Sequence, residues 1–184
     1  MLRIIQAGSG YWEKKLIDSN EHLQRFFSTL SCEPKELVLS KGELYICLLH
    51  INSISGEVEA CLYMNVEHYD EEISIVQHPN LPYIAITTNS AVYTLSKAYE
   101  KIDVFELYTP ISSMGYLGGN MLFVAEELCV SFVDEKGYLC FAQNTGFIEE
   151  TKLKDSALSV RSEDTELRFV LQEGAIITEC ITPC

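Results

Sequence analysis

The spacing of apolar residues changes at Pro34. Before it, apolar side chains recur every three or four positions, at Leu23, Phe26, Phe27 and Leu30. That spacing predicts a helix over about Asn20 to Leu30, with Ser19 available to cap its first turn. The sequence also allows a second, shorter helical turn at Tyr11 to Ile17.

After Pro34 the chain consists of short runs rich in Val, Ile, Tyr and Phe, separated by Gly, Asn and Pro. Such runs are typical of β-strands. The predicted strands are Leu44–Ile51, Val58–Val66, Ile73–Gln77, Tyr83–Thr87, Ala91–Leu95, Val104–Tyr108, Met121–Ala125, Cys129–Val133, Tyr138–Ala142, Leu158–Arg161, Leu167–Leu171 and Ala175–Cys180. Because no helix is predicted between them, we expect an antiparallel meander rather than a parallel α/β sheet.

Three segments share the pattern strand, tight polar turn, strand: 83–95, 121–133 and 157–171. Their starts lie 38 and 36 residues apart, and a looser copy begins at Leu44. A period near 40 is typical of a four-stranded propeller blade, although four units are too few for a six- or seven-bladed ring. The pattern therefore predicts a sandwich or a small or incomplete propeller-like fold, mainly β with one N-terminal helix.

The length of 184 residues indicates a single β-rich domain, 1–184. In it, 1–34 would supply an N-terminal strand and helix, and 35–184 the antiparallel meander. The first residues lack the features of a signal peptide, and no window approaches eighteen consecutive apolar residues. We therefore expect a cytoplasmic protein that does not bind membranes.

Seven cysteines at irregular spacings are expected to be reduced thiols in such a compartment. Cys47, Cys61, Cys129 and Cys140 each lie in an apolar run, so we expect them in the core. Cys180 and Cys184 form a lone pair without the second half of a zinc site.

Positive charge is scarce. The chain has 27 acidic and 13 basic residues, a formal net charge of -14, and no Lys or Arg between Gly42 and Ser96. A field of this sign repels nucleic acid and anionic membranes and accelerates association with a basic protein. We therefore expect a basic protein partner and no direct nucleic-acid binding.

Motifs that carry chemistry are weak. The loop Ala7–Gly10 lacks the third glycine of a dinucleotide-binding turn, so a plain turn is favoured. The cluster Glu67–Glu72, with His78 nearby, does not match calcium-loop spacing and is interpreted as a solvated acidic loop or a protein-binding patch. No nucleophile elbow is present. We expect no enzyme activity, no cofactor and no metal.

The segment 119–150 has a strand ending in Glu-Glu, a second strand, the turn Asp134–Gly137 and a third strand with Phe141. In these features it resembles bacterial immunity proteins of contact-dependent growth inhibition and related polymorphic toxin systems. The resemblance implies a protein that binds and neutralises a cognate secreted toxin. If that toxin is a basic nuclease, an acidic surface would cover its active site.

The acidic segment of the base-free stretch is the predicted contact surface. Its residues are Glu57, Glu59, Tyr63, Glu67, Tyr69, Asp70, Glu71 and Glu72. The second choice is the pair of hairpins over 126–150, with Glu126, Glu127, Glu149 and Glu150. Two other functions stay open: a propeller-like protein-interaction module without a toxin partner, and a metal-assisted hydrolase that uses the 67–78 cluster.

Overall fold

The computed structural model describes residues 2–5, 10–38, 42–68, 71–154, 156–163 and 165–181. These residues form one α-helix, α1 (Asn20–Phe27), and seventeen strands. The strands are β1 (Leu2–Ile5), β2 (Gly10–Ile17), β3 (Pro34–Val38), β4 (Leu44–Asn52), β5 (Val58–Val66), β6 (Ile73–Gln77), β7 (Tyr83–Thr87), β8 (Ala91–Ser96), β9 (Lys101–Glu106), β10 (Ile111–Leu117), β11 (Met121–Glu126), β12 (Cys129–Val133), β13 (Leu139–Asn144), β14 (Ile148–Lys154), β15 (Ala157–Ser162), β16 (Glu166–Gln172) and β17 (Ala175–Ile181). The prediction of a mainly β fold with one N-terminal helix is confirmed.

The strands within the described residues form four sheets. Their strand orders are β1-β6-β7-β8-β9, β2-β4-β5-β3, β10-β11-β12-β13 and β14-β15-β16-β17. The last two are each four antiparallel strands in chain order, which is the order in a propeller blade. A sandwich has two sheets, so the strand pairing favours the propeller-like alternative.

The repeated segments of the sequence are the inner strand pairs of these sheets. They correspond to β7–β8, β11–β12 and β15–β16, and the looser copy to β4–β5. Their registers place aromatic and aliphatic residues opposite each other, as in Phe123 with Phe132 and Leu158 with Phe169. The inner strands β7, β8, β11 and β12 are buried on both faces and have nearly continuous apolar runs, whereas β15 and β16 alternate between buried and exposed residues. Both patterns predict strands from the sequence.

Two expectations about pairing are corrected. Tyr11–Ile17 is not a helical turn but lies in β2, where Trp12 pairs with His50 and Ile17 with Tyr45 of β4. Pairing with a long apolar neighbour outweighs the local preference of a short charged segment. The meander is also interrupted by two parallel pairs, β1 with β6 and β3 with β5.

The helix begins where the sequence predicts and ends earlier. Ser19 is its N-cap, and its side chain accepts from the His22 backbone N–H at 3.3 Å. It ends at Phe27, and the Leu30 N–H instead donates to the Phe27 oxygen in a tighter turn. Leu30 still packs against the core, so the apolar spacing extended beyond the helix that it predicted.

The chain divides into two compact units. Unit 1 comprises Met1–Pro79, Tyr83–Thr88 and Tyr93–Lys101, and unit 2 comprises Asn80–Pro82, Asn89–Val92 and Ile102–Cys184. The expected boundary at residue 34 falls inside unit 1. The single-domain organisation stays a prediction.

Each unit has its own apolar cluster. In unit 1, α1 covers one face of the β2-β4-β5-β3 sheet, where Leu23 packs near Cys47, Leu49 and Cys61. In unit 2, side chains of the β10-β11-β12-β13 sheet pack against those of the β14-β15-β16-β17 sheet. The ring centroids of Phe132 and Phe169 are 5.2 Å apart. The paired sheets of unit 2 are the scaffold for the candidate site below.

The cysteines only partly follow the expectation. Cys47 and Cys61 are fully buried, whereas Cys129 is half-buried and Cys140 is exposed. Cys140 lies in β13, at the edge of its sheet, where an apolar run is covered on fewer sides. These four, Cys32 and Cys180 are free thiols, and Cys184 lies outside the described residues.

Candidate functional site

The residues predicted to bind a partner are spread along strand β5. Two lie at its start (Glu57 and Glu59), one in its middle (Tyr63) and three after its end (Glu67, Glu71 and Glu72). Tyr69 and Asp70 fall outside the described residues. Because a nine-residue strand spans roughly 26 Å, the acids do not form one cluster. Lys14 Nζ also donates to the Glu71 backbone oxygen at 2.9 Å, which places a positive charge beside the acids that follow β5.

Glu59 belongs to a polar cluster rather than to a free acidic surface. Its Oε2 lies 3.1 Å from His50 Nδ1, and Asn52 Nδ2 donates to its Oε1 at 2.7 Å. The Tyr99 hydroxyl lies 2.7 Å from the same His50 nitrogen. Burial, and secondarily the Glu59 charge, raise the pKa of Tyr99. The cluster resembles a carboxylate–imidazole dyad. Such a dyad can act as a base only if the other imidazole nitrogen, Nε2, can reach a substrate.

His50 Nε2 faces the backbone of β2. A Cβ added at Gly10 would lie 2.5 Å from this nitrogen, and the Trp12 ring lies 4.9 Å from the imidazole. A catalytic base must reach a substrate proton within hydrogen-bond distance. With Nε2 packed against main chain and the ring buried, the arrangement is structural.

Tyr63 also has a packing role. Its ring lies 5.0 Å from that of Phe27, under α1, as part of the unit 1 apolar cluster. Burial, and then the neighbouring Glu36, raise the pKa of its hydroxyl. A partner protein that used Tyr63 as an interface hot spot would have to contact it past α1.

A cleft of about 720 Å³ lies elsewhere, in unit 2. It is formed where three loops meet: 107–110, 127–128 and 145–147. Its walls include Tyr108, Leu128, Asn144 and Gly146, and Glu126 lies at the end of β11. We call this site the cleft. Its volume is in the range of ligand and peptide-anchor sites in proteins.

Hydrogen bonds tie the three loops together. Glu126 Oε2 accepts from the backbone N–H groups of Tyr108 at 2.6 Å and Thr109 at 3.0 Å. The Thr109 hydroxyl in turn accepts from the Glu127 N–H at 3.0 Å. The backbone oxygen of Leu128 accepts from the Thr145 N–H at 2.9 Å. Because these bonds fix the loop conformations, the cleft needs little ordering to receive a partner.

The cleft has an apolar rim. Tyr108 is 84% exposed, Leu128 45% and Phe147, next to the lining residue Gly146, 54%. Single exposed apolar residues are ordinary, but three large ones on adjoining loops are typical of an interaction site. None of the three was named as a contact residue from the sequence. Tyr108 was assigned to the end of a predicted strand, and Leu128 and Phe147 lie in turns of the 126–150 hairpins, where apolar periodicity carries no signal.

The surroundings of the cleft are acidic. Lys136 is the single base between Lys101 and Lys152, against eight acids: Asp103, Glu106, Glu126, Glu127, Asp134, Glu135, Glu149 and Glu150. Asp134, Glu135 and Lys136 lie together in the turn at the opposite end of β12 and β13, roughly 16 Å from the cleft, so none of them is a residue of the cleft. Glu126, Glu127, Glu149 and Glu150 are the second choice made from the sequence. The structure brings Glu126 and Glu127 to the cleft, whereas Glu149 and Glu150 form ion pairs with Arg161.

Two features are absent from the described residues. In the described parts of the chain, no three His, Cys, Asp or Glu side chains are grouped so as to hold a metal ion. The described residues also include no helix with the length and apolar character to cross a membrane.

Comparison with known proteins identifies no family. No family model and no curated protein matches the chain. Among solved structures, the chain is similar to the crystal structure of BamB from Moraxella catarrhalis, at 12% identity and a TM-score of 0.44. The match covers 68% of this chain and 39% of that one. A likeness at this level does not establish a common fold, so the fold assignment rests on the strand pairing.

Proposed function

We propose that the chain is a protein-interaction module that binds a basic partner protein at the cleft. The observation that carries the proposal is the coincidence of Tyr108, Leu128 and Phe147, all exposed, on three loops that hydrogen bonds hold in place. Exposed aromatic anchors around a depression are typical hot spots of protein interfaces. Loops on a rigid β scaffold are also the usual carriers of recognition.

Charge supports the choice of partner. Glu126 lines the cleft, Glu127 lies beside it, and no Lys or Arg is among the described lining residues, so the cleft has a negative surrounding. Such a field attracts a basic surface and disfavours an acidic one, and it acts mainly on the association rate. The apolar rim would supply most of the affinity, because desolvated aromatic contacts contribute more than exposed charges.

Selection from a random peptide display library tests this proposal even though the partner is unidentified. The immobilised protein should enrich peptides that combine basic and aromatic residues. The enriched peptides should lose binding to the variant with Tyr108→Ser, Leu128→Ser and Phe147→Ser, by about 100-fold or more, since hot-spot truncations cost about 2 kcal/mol or more each. A matched control carries Glu67→Lys and Glu72→Lys after β5. Peptides that bind the rim variant as well as the parent would contradict the proposal.

One form of this function is the neutralisation of a toxin. The segment that resembles immunity proteins, 119–150, contains β11 to β13 and two of the three loops of the cleft. Co-expression with a cognate toxin should then protect cells, and the rim variant should lose that protection. Protection that survives in the rim variant but not in the Glu67 and Glu72 control would transfer the contact to the segment after β5.

A further inference from the structure

We infer that the cleft receives an arginine side chain of the partner, with Glu126 as its counter-ion. This deepens the proposed function and rests on it for the identity of the cleft as a contact surface. Three features support it: the burial and hydrogen bonding of one carboxylate, the repeat of the fold and the aromatic side chain at the rim.

Glu126 is a buried carboxylate with unused bonding capacity. Its residue is 1% exposed, yet it lines the cleft. Both hydrogen bonds that it accepts go to Oε2. Within the described residues Oε1 accepts none, and no Lys or Arg forms an ion pair with the carboxylate. A carboxylate has about four acceptor sites, so Oε1 is available to a donor that enters the cleft.

The repeat shows that the charge is not required to build the turn. Glu126 occupies the position that Thr88 holds 38 residues earlier and Ser162 holds 36 residues later. All three residues are buried at the end of the first strand of their hairpins. The Ser162 hydroxyl contacts the Thr165 hydroxyl at 2.9 Å within its own turn. A hydroxyl therefore occupies this position in the β15–β16 hairpin, whose connection is one residue longer than that of β11–β12.

A buried charge without a partner is costly, and it is retained where a cation or a hydrogen-bond donor binds. The Tyr108 and Thr109 N–H groups supply such donors to Oε2, which leaves Oε1 as the atom that a cation in the cleft would reach. The apolar walls lower the local dielectric and strengthen an ion pair formed there.

Tyr108 favours arginine over lysine. Its side chain lines the cleft and is 84% exposed, so its ring face is open to a stacking partner. A planar guanidinium stacks on an aromatic face while its N–H groups donate sideways to a carboxylate. The compact, strongly hydrated ammonium of lysine does not combine these two contacts as well.

The direct test uses small probes and needs no partner protein. Nα-acetyl-arginine amide, its uncharged isostere Nα-acetyl-citrulline amide and Nα-acetyl-lysine amide are titrated into the isotope-labelled full chain and followed by NMR. The arginine probe should shift the backbone amides of Tyr108, Thr109 and Asn144. It should bind about tenfold or more tightly than either of the others, the usual scale for a charge-assisted pair. Equal binding of arginine and citrulline, or no shift at these amides, would overturn the inference. Lysine binding as tightly as arginine would also overturn it, because the site would then be a general cation site.

A pair of variants tests whether Glu126 is the residue that binds the arginine probe. Glu126→Gln keeps an oxygen that accepts from the Tyr108 and Thr109 N–H groups and removes the charge, so it should keep the loop conformation while losing about tenfold or more of the arginine affinity. Glu127→Thr removes the neighbouring, less buried acid and should retain affinity within about twofold. Arginine binding that both variants retain would overturn the inference. If Glu126→Gln fails to fold, the arginine–citrulline comparison on the parent still decides.

The two proposals fail in different ways. Selected peptides that need the rim but contain no required arginine would contradict the arginine site and leave the interaction module intact. An arginine probe that binds the cleft while no peptide depends on the rim would contradict the interaction module instead.

Discussion

Acidic residues of this chain differ in role according to what surrounds them. The Glu59 carboxylate contacts the His50 imidazole and accepts from the Asn52 amide, and Glu150 forms ion pairs with Lys152 and Arg161. Glu126 has one oxygen engaged, and within the described residues no Lys or Arg forms an ion pair with it. The sequence shows an excess of acids but cannot show which oxygens are occupied, because the partners of Glu59 and Glu126 come from other strands and loops. Counting acids therefore favoured the segment 57–72 over the cleft.

Tyr116 gives a residue-level prediction about pH. Burial raises the pKa of its hydroxyl from 10.0 to about 12. The folded chain holds this proton more tightly than the unfolded chain, so the stabilisation is complete below pH 10 and is lost as the pH rises through 12. Between these values the parent should lose about 2 kcal/mol more of its free energy of unfolding than Tyr116→Phe does, a figure reduced for the partial solvent exposure of the ring. Urea denaturation at several pH values measures the difference. Parallel losses in the two proteins would show that Tyr116 ionises as an exposed tyrosine.

At the scale of elements, the sequence predicts the inner strands and the edge strands β9, β13 and β17, but not the edge strands β2, β3, β10 and β14. The inner pairs β7–β8 and β11–β12 are buried on both faces, so their residues form nearly continuous apolar runs, whereas β15 and β16 bury mainly alternate residues. The edge strands β3, β10 and β14 lie at the sides of their sheets, are less apolar and were not predicted. Their positions depend on backbone pairing with a neighbour, which leaves little trace in residue type.

Helix α1 offers a test of local stabilisation. Ser19→Ala removes the acceptor of the His22 N–H and should lower the free energy of unfolding by about 1 kcal/mol. Ser28→Ala deletes a matched hydroxyl at the other end of the helix, where the exposed Arg25 carbonyl can turn to water, and should cost less than half as much. Trp12, the one tryptophan, is buried in unit 1 with α1 and reports both transitions by fluorescence. Equal effects of the two variants would mean that α1 depends on packing alone.

At the scale of the molecule, the period of about 40 residues was readable because each inner hairpin repeats the same pattern of strand, turn and strand. The candidate site could not be predicted from the sequence in the same way. It combines residues from three connections, 107–110, 127–128 and 145–147, that meet only after β10 to β13 have paired. Charge alone identified Glu126 and Glu127 as a second choice. Nothing in the residue pattern indicated Tyr108, Leu128 and Phe147, whose exposure is a property of the folded chain.

The most direct test of the central claim compares two acidic regions for binding to one selected basic peptide or partner protein. Equilibrium affinity is measured at low and moderate salt for the parent, for the Tyr108→Ser, Leu128→Ser, Phe147→Ser variant and for a Glu67→Lys, Glu71→Lys, Glu72→Lys variant. We expect the rim variant to lose about 100-fold or more in affinity at both salt concentrations. The charge-reversed variant should change by less than about tenfold, and that change should diminish with salt as charges are screened. A rim variant that binds like the parent, together with a charge-reversed variant that does not bind, would contradict the assignment of the cleft as the contact surface.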